Sequence, residues 1–194
     1  MKRLFLAVDL SITVVEEIIL FQEDLRKKIH AHDDSVDVRW VEAPNIHLTL
    51  KFLGPTEAPL ISMIRNTVEN LANPLFPFEV ECREVGCFPS PKKPRIIWAG
   101  LDKKSSEVLG LLQQAVERDL AELGIAEESR EFKPHITLGR IKSTRAPELE
   151  SILADYAGIQ FGRSYIKDLV LFESILDHRG PRYEVIERFA LGSL

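Results

Sequence analysis

The sequence contains an internal duplication, and this feature constrains the fold more than any other. An apolar run at 3–10 is matched in character 92 positions later by a run at 95–102. An amphipathic stretch follows each run, at 11–30 and 105–123, with apolar residues at near-helical spacing. A chain that repeats strand and helix in this order is expected to fold as two similar units.

The duplication continues in each half through a second strand, a second helix and a third strand. The second strands carry the same His-x-Thr pattern, at 47–49 and 135–137. We therefore predict an α+β fold of two lobes related by an approximate two-fold axis, in which a strand-helix-strand-helix-strand unit occurs twice and antiparallel sheets line a central cleft. The predicted single bilobal domain covers 1–194, with repeats at about 3–88 and about 95–172 and a final strand at 182–191.

Capping residues and hydrophobic patterns set the predicted element boundaries. Ser11 and Ser105 are predicted N-caps of the first helix in each repeat, and Gly124 is a predicted helix stop. The second helices and third strands are predicted at 59–71, 78–88, 147–156 and 165–172.

Composition and charge exclude several classes of protein. The 194 residues are 45% hydrophobic, which is enough to fill a core and excludes a disordered chain. The formal net charge of -5 argues against adhesion of the whole surface to nucleic acid, so any phosphate site must be local. Two basic segments, 92–95 and 130–145, are expected to supply that local positive charge.

The amino terminus and the two cysteines predict a soluble, cytoplasmic protein. Asp9 interrupts the first apolar run before it reaches the length of a signal-peptide core, and no stretch is long and apolar enough to span a membrane. Cys82 and Cys87 lie five residues apart in an extended segment, so we expect them on opposite faces about 16 Å apart. That separation excludes a disulfide, and two thiols alone provide no cysteine-based zinc framework.

The two His-x-Thr segments predict the reactive centre. Alternate residues of a strand point to one face, so His47 shares a face with Thr49, and His135 shares a face with Thr137. A two-fold relation between the lobes would bring these four side chains into one cleft. A neutral and a protonated imidazole suit in-line displacement at phosphorus, and the hydroxyls can donate to non-bridging oxygens.

Two simpler interpretations of these histidines are less favoured. A single buried histidine is more often an ordinary core residue, but that interpretation does not explain two histidines at equivalent positions of a repeat. Metal binding is disfavoured because the neighbouring side chains are threonines rather than His, Cys, Asp or Glu. We therefore predict no metal and no cofactor.

Phe52 and Arg140 occupy the same place in the two repeats, each five residues after its histidine. Strict alternation would put this position on the face opposite the histidine, so access to the cleft requires an irregularity in the strand. Gly139 favours a bulge before Arg140, whereas no such residue precedes Phe52, and a core position for Phe52 stays open. In the cleft, Arg140 is expected to bind phosphate and Phe52 to stack on a base.

Blocks that include and flank the histidines resemble the two-histidine phosphoesterase superfamily and, within it, the RNA 2',3'-cyclic phosphodiesterases, historically called 2'-5' RNA ligases. The similarity covers nearly the whole chain and lies in the segments 3–10, 40–41, 45–54, 132–140, 169–174 and 180–185. The resemblance implies a bilobal α+β fold with a central cleft, catalytic roles for His47 and His135, and phosphate contacts for Thr49 and Thr137.

The resemblance also implies an activity, in which water opens the 2',3'-cyclic phosphate of an RNA 3' end and leaves a 2'-phosphate. Ligation through a 2'-5' linkage is the related transfer in which a 5'-hydroxyl replaces water. Two alternatives stay open: hydrolysis of another small cyclic phosphate, and a non-catalytic module that binds RNA ends. The expected partners are RNA 3' ends or small cyclic-phosphate nucleotides. We expect a monomer with no membrane association and no obligate protein partner.

The roles of the two histidines are not distinguished by a nearly symmetric sequence. We favour His47 as the acid and His135 as the base.

Overall fold

The computed structural model describes residues 1–143, 149–177 and 180–192. In these ranges the elements, in chain order, are β1 (Lys2–Val8), α1 (Ile12–His32), β2 (Val38–Trp40), β3 (Leu48–Thr56), α2 (Ala58–Ala72), β4 (Phe78–Phe88), β5 (Ile96–Leu101), α3 (Lys103–Ala121), β6 (Ile136–Ile141), α4 (Leu149–Ala154), β7 (Gln160–Ile166), β8 (Asp168–Asp177) and β9 (Gly180–Ala190). A 3₁₀ turn at Ala43–Asn45 precedes β3. None of the described helices combines the length and apolar character needed to cross a membrane.

The described strands form one antiparallel sheet, in the order β7-β4-β5-β6-β3-β1-β8-β9, with β2 added beside β6. The two four-stranded halves of this sheet meet where β3 pairs with β6, and the register records a single residue pair there, Leu48 with Ile136. The α+β class and the antiparallel strands of the prediction are confirmed. The two predicted sheets are in fact the halves of one continuous sheet.

The halves of the sheet do not follow the two sequence repeats. Strand β4 belongs to the first repeat but pairs with β5 and β7 of the second, and β8 of the second repeat pairs with β1 of the first. The exchange of β4 follows from its short connection to β5, because antiparallel strands joined by a short loop form a hairpin. Each half of the sheet therefore contains strands from both repeats.

The strand predicted at 165–172 is wrong, because the structure divides this segment between β7 and β8. Lys167 alone separates them, although they lie in opposite halves of the sheet. The sheet must therefore curl to bring these two strands together. Neither residue of the Ile166–Lys167 junction is a Gly or Pro turn signal, so the sequence pattern continues through the break.

The other predicted elements agree with the structure within a few residues, and the third strand of the first repeat matches β4 at both ends. The start of the helix predicted at 147–156 lies outside the described residues. Ser11 is at the N-cap position of α1 without a side-chain cap bond. The predicted Ser105 cap is wrong: Asp102 caps α3 by accepting from the Ser105 amide at 3.0 Å. Gly124 has a φ of +78° after the end of α3, as a helix stop requires.

Cys82 and Cys87 are free and buried, and they belong to the same core cluster. The expectation that they occupy opposite faces is wrong, because the β4–β5 register shifts between Arg83 and Val85. Glu84 adopts a φ of 63° at this bulge, and the extra residue restores Cys87 to the face of Cys82. Burial raises the pKa of both thiols to about 12, which keeps them protonated.

A buried ion pair holds the segment before β6 against the sheet. The Lys51 ammonium on β3 contacts the Glu117 carboxylate on α3, and it donates to the carbonyl oxygen of Ala126 at 2.9 Å. Glu117 also accepts hydrogen bonds from the side chain of Gln113 and the amide of Glu128. The Lys51 side chain is only 2% exposed. This network fixes the chain that leads to the second His-x-Thr segment.

We predict that Glu117→Gln lowers the free energy of unfolding by about 3 kcal/mol, because it leaves the Lys51 ammonium buried without its counter-charge. Glu107→Gln, on the same helix, removes the partner of the exposed Lys103 and should cost less than about 1 kcal/mol. Urea denaturation of both variants measures the difference. Equal losses would contradict the structural role of the buried pair.

Candidate active site

Two bulges at equivalent positions shape the strands that carry the site. In the β1–β3 pairing, Ala7 lies opposite Thr49 and Leu6 opposite Lys51, so Leu50 is an extra residue. In the β5–β6 pairing, Trp98 lies opposite Thr137 and Ile97 opposite Gly139, so Leu138 is extra. Each bulge comes three residues after its histidine. Beyond each bulge, every side chain of the strand points to the face opposite the one that strict alternation would give it.

The bulges turn Phe52 and Arg140 toward the cleft, and both side chains are exposed there. The predicted bulge before Arg140 is confirmed, with Leu138 as its extra residue. Phe52 is 69% exposed, so the alternative core position for this residue is wrong. Gly139 has a further role, because a Cβ atom there would lie 2.8 Å from Val38 on β2. Only glycine lets β2 pack this closely beside β6.

His47 lies immediately before β3, and both of its ring nitrogens have protein partners. Its Nδ1 donates to the carbonyl oxygen of Asn45 at 2.8 Å, and its Nε2 is 2.9 Å from Thr49 Oγ1. A carbonyl oxygen can only accept, so Nδ1 carries a proton and Nε2 is the nitrogen that titrates. The predicted shared face of His47 and Thr49 is confirmed.

His135 lies immediately before β6, and its Nδ1 has the same kind of backbone partner as that of His47. Its Nδ1 donates to the carbonyl oxygen of Lys133 at 2.7 Å, which again leaves Nε2 to titrate. Within the described residues, His135 Nε2 has no hydrogen-bond partner. Thr137 lines the same cleft. This nitrogen is therefore available to a ligand or a water molecule.

Aromatic side chains enclose both imidazoles. The ring centroids of Phe5 and Tyr183 lie 4.9 and 5.2 Å from that of His47, and the Tyr183 ring is nearly perpendicular to the imidazole. Phe88 packs against His135 at 5.0 Å, also edge to face. Phe172 stacks on Phe5 at 5.1 Å and completes the layer beneath His47. These rings restrict the imidazole orientations and remove water from one side of each.

Burial lowers the pKa of both His47 and His135 below the ordinary value of 6.5, because desolvation disfavours the charged ring. The backbone carbonyl that each ring binds acts in the opposite direction and raises its pKa. The Asp9 carboxylate also raises the pKa of His47, whereas the Arg140 guanidinium lowers the pKa of both histidines. Arg140 therefore lies within the electrostatic field of both rings.

The structure brings all six residues predicted for the site to one cleft of about 1200 Å³. They are His47, Thr49, Phe52, His135, Thr137 and Arg140. In the described part of the chain, no group of three His, Cys, Asp or Glu side chains is arranged to hold a metal ion. Two titratable nitrogens, two hydroxyls and a guanidinium can bind an anion and exchange protons with it.

Sequence reasoning did not identify Tyr183 as part of the site, although it lies within a block that carries the family resemblance. Its position depends on β9, in which the carbonyl oxygen of Pro181 accepts a hydrogen bond from the Asn45 side chain at 3.1 Å. Phe88 and Phe172 were recognisable as equivalent by their place in the repeat. Their packing against the histidines depends on the exchange of β4 and β8, which the sequence did not indicate.

We predict that both histidines titrate below pH 6.5 in an NMR experiment, and that Arg140→Gln raises the pKa of both by removing a nearby positive charge. Lys103→Gln removes an exposed cation outside the cleft and should leave both unchanged. A histidine that titrates above 6.5, or one that does not respond to Arg140→Gln, would contradict the electrostatics described above.

Because the unfolded chain binds these protons more readily, the contribution of the histidines to stability is complete above pH 6.5 and is lost as the pH falls.

Comparisons with known proteins agree with this architecture. The model of the family described as LigT like phosphoesterase matches residues 13–98 and 100–183. The RNA 2',3'-cyclic phosphodiesterase of Aquifex aeolicus is 33% identical over 171 residues, which cover 88% of this chain and 89% of that protein. Two crystal structures are also similar over 98% of both chains: TT0787 of Thermus thermophilus (TM-score 0.79, 28% identity) and E. coli LigT complexed with 3'-AMP (TM-score 0.75, 25% identity). With most of its length matched, this chain belongs to the LigT-like phosphoesterase family.

Proposed function

We propose that this protein hydrolyses the 2',3'-cyclic phosphate of RNA 3' ends and leaves a 2'-phosphate. The observation that carries the proposal is the pair of histidines in one cleft, each with Nδ1 bound to a backbone carbonyl and Nε2 left to titrate. A relative named RNA 2',3'-cyclic phosphodiesterase and a similar structure that binds 3'-AMP support this substrate class.

The proposed reaction is an in-line displacement with the histidines on opposite sides of phosphorus. His135 Nε2 removes a proton from water as the water oxygen attacks. The bond between phosphorus and O3' breaks, and His47 Nε2 delivers its proton to O3'. The product has a 2'-phosphate and a free 3'-hydroxyl. The histidines have exchanged protonation states, which solvent then restores.

Two observations support these individual roles. Burial lowers the pKa of both rings, but the Asp9 carboxylate opposes that lowering at His47 alone, which favours His47 over His135 as the protonated ring that an acid requires. His135 Nε2 has no partner among the described residues, which leaves it open to hold the attacking water. The two rings influence each other, so the reaction would report apparent pKa values of the pair.

The remaining residues of the site would stabilise charge on the phosphoryl oxygens. Arg140 lines the same cleft as both histidines, and its positive charge lowers the pKa of both rings. The hydroxyls of Thr49 and Thr137 can donate to non-bridging oxygens, where negative charge grows in the transition state. Because these side chains provide the acid, the base and the positive charge, we propose that the reaction needs no metal ion.

The volume of the cleft and its two imidazoles favour RNA hydrolysis over the two alternative functions. Its volume of about 1200 Å³ exceeds the roughly 300–1,000 Å³ of a typical small-molecule pocket, which favours an RNA end over a lone small cyclic phosphate. A module that only binds RNA ends would need positive charge but not two opposed imidazoles. Ligation is the same displacement with a 5'-hydroxyl in place of water.

We further propose that the protein acts as a monomer in the cytoplasm.

We predict that His47→Ala and His135→Ala each lower kcat/KM by about 10²- to 10⁴-fold, because each removes one proton-transfer group. The double variant should lose little more than either single variant, since both groups act on one transition state. The assay uses RNA with a 2',3'-cyclic phosphate, contains EDTA, and identifies the terminal phosphate of the product. His32→Ala, at the exposed end of α1, is the matched control.

Three outcomes of this assay would contradict the proposal. Near-normal turnover by either variant would refute the histidine mechanism, and absence of wild-type turnover would refute the substrate class. Restoration of activity only by added divalent metal would refute metal independence.

We predict that Phe52→Leu raises KM by about 5- to 10-fold, through the partial loss of one base stack, and leaves the melting temperature unchanged. The side chain is 69% exposed, so its contribution to core packing is small. Phe76→Leu is the matched control, because Phe76 is 83% exposed and does not line the cleft. A lowered melting temperature with an unchanged KM would refute the stacking role.

A further inference from the structure

The two ends of the cleft are built from equivalent parts but differ in charge. Strands β3 and β6 run antiparallel from their shared residue pair, so Phe52 and Arg140 lie toward opposite ends. Beside β6, the lining includes Arg39, Arg140 and Lys142. Beside β3, it includes the segment 126–131, in which Glu127, Glu128 and Glu131 outnumber the single cation Arg130, the partner of Glu128.

The cationic end is a short strip defined by Arg39, Arg140 and Lys142. The β2–β6 register places Arg39 directly opposite Arg140. The pairing extends one residue beyond β6, where the Lys142 amide donates to the Asp37 carbonyl oxygen at 2.8 Å, so Lys142 falls on the face of Arg140. All three side chains are exposed. Arg140 and Lys142 form no ion pair with any described residue. Guanidinium and ammonium groups on one face of adjacent strands provide charge-assisted donors for a phosphate.

We infer that the strip binds the phosphate of the nucleotide immediately 5' to the cyclic phosphate, with Arg39 and Lys142 as its ligands. This inference rests on the proposed function and specifies its substrate as an oligonucleotide rather than a mononucleotide. Arg140 would face the reactive phosphate, because the bulge after His135 turns it into the cleft that both histidines line. Lys142 is displaced from Arg140 by about 7 Å along the strand. That distance is comparable to the step between successive phosphates of an RNA strand.

The chemistry of the terminal ribose supports this direction. The cyclic phosphate joins O2' and O3', the base is attached beside C2', and the chain continues to the 5' side beyond C3'. When the phosphate lies between the histidines, the base and the preceding nucleotide therefore diverge. Phe52 at one end offers a stacking surface for the base, and the strip at the other end attracts the phosphate backbone. The segment 126–131 beside β3, with its net negative charge, would attract that backbone less than the strip does.

The experiment compares two substrates, adenosine 2',3'-cyclic phosphate and the adenosine dinucleotide that ends in the same group. The measured quantity is the ratio of kcat/KM for the dinucleotide to that for the mononucleotide. For the wild-type protein we expect a ratio of at least about 10, and for Arg39→Gln and Lys142→Gln a decrease of about 10-fold, as for loss of one charge-assisted hydrogen bond. Lys103→Gln, outside the cleft, should keep the wild-type ratio.

A dinucleotide with an uncharged methylphosphonate in place of the internal phosphate gives a second measurement. The wild-type protein should lose its preference for this substrate, and Lys142→Gln should then cause no further decrease. A wild-type ratio near one, or an unchanged ratio in both variants, would overturn the inference while the proposed function stands. Failure of the wild-type protein to hydrolyse either cyclic phosphate would instead overturn the proposed function and the inference with it.

Discussion

The single residue pair between β3 and β6 determines how the candidate site is assembled. Leu48 and Ile136 are fully buried, and each directly follows one of the histidines. An antiparallel residue pair is itself two-fold symmetric, so this pair places His47 and His135 at equivalent positions about a local axis. Beyond this pair β6 pairs with β2 instead of β3, so the two strands diverge, and side chains from both line the cleft. The distance between the two imidazoles is therefore fixed by backbone hydrogen bonding rather than by flexible side chains.

The exchange of strands makes each histidine dependent on the other sequence repeat. Phe88 packs against His135 but comes from the first repeat, and Phe172 lies beneath His47 but comes from the second. These contacts exclude water from one side of each ring, which is the main cause of the lowered pKa of both histidines. A single repeat would lack the partner strand, and its histidine would be more hydrated. The site thus requires both repeats, although each repeat contains a complete His-x-Thr segment.

The sequence predicted the centre of the site better than its surroundings, and the reasons are physical. Residues two apart on a strand share a face regardless of context, so His47 and Thr49 could be placed together from spacing alone. The bulge before Arg140 was indicated by Gly139, whose missing side chain admits β2. The bulge before Phe52 has no local signal, because it arises from the register of β3 against β1, a long-range pairing. Tyr183 likewise reaches His47 only through the pairing of β9 with β8.

The cleft is symmetric at its two histidines and asymmetric at its two ends, and the chemistry of the proposed substrate gives a reason for both. Displacement at phosphorus requires proton-transfer groups on two opposite sides, and two copies of one His-x-Thr segment can supply both. An RNA end, however, has a base on one side of the cyclic phosphate and a charged chain on the other. A cleft with identical ends would accept it in two orientations, only one of which presents O3' to the acid. Phe52 and Arg140 occupy equivalent positions but differ in chemistry, one an aromatic ring and the other a cation, and the Asp9 carboxylate opposes the lowering of the pKa of His47 by burial. These differences can select the single orientation in which the leaving oxygen faces the protonated ring.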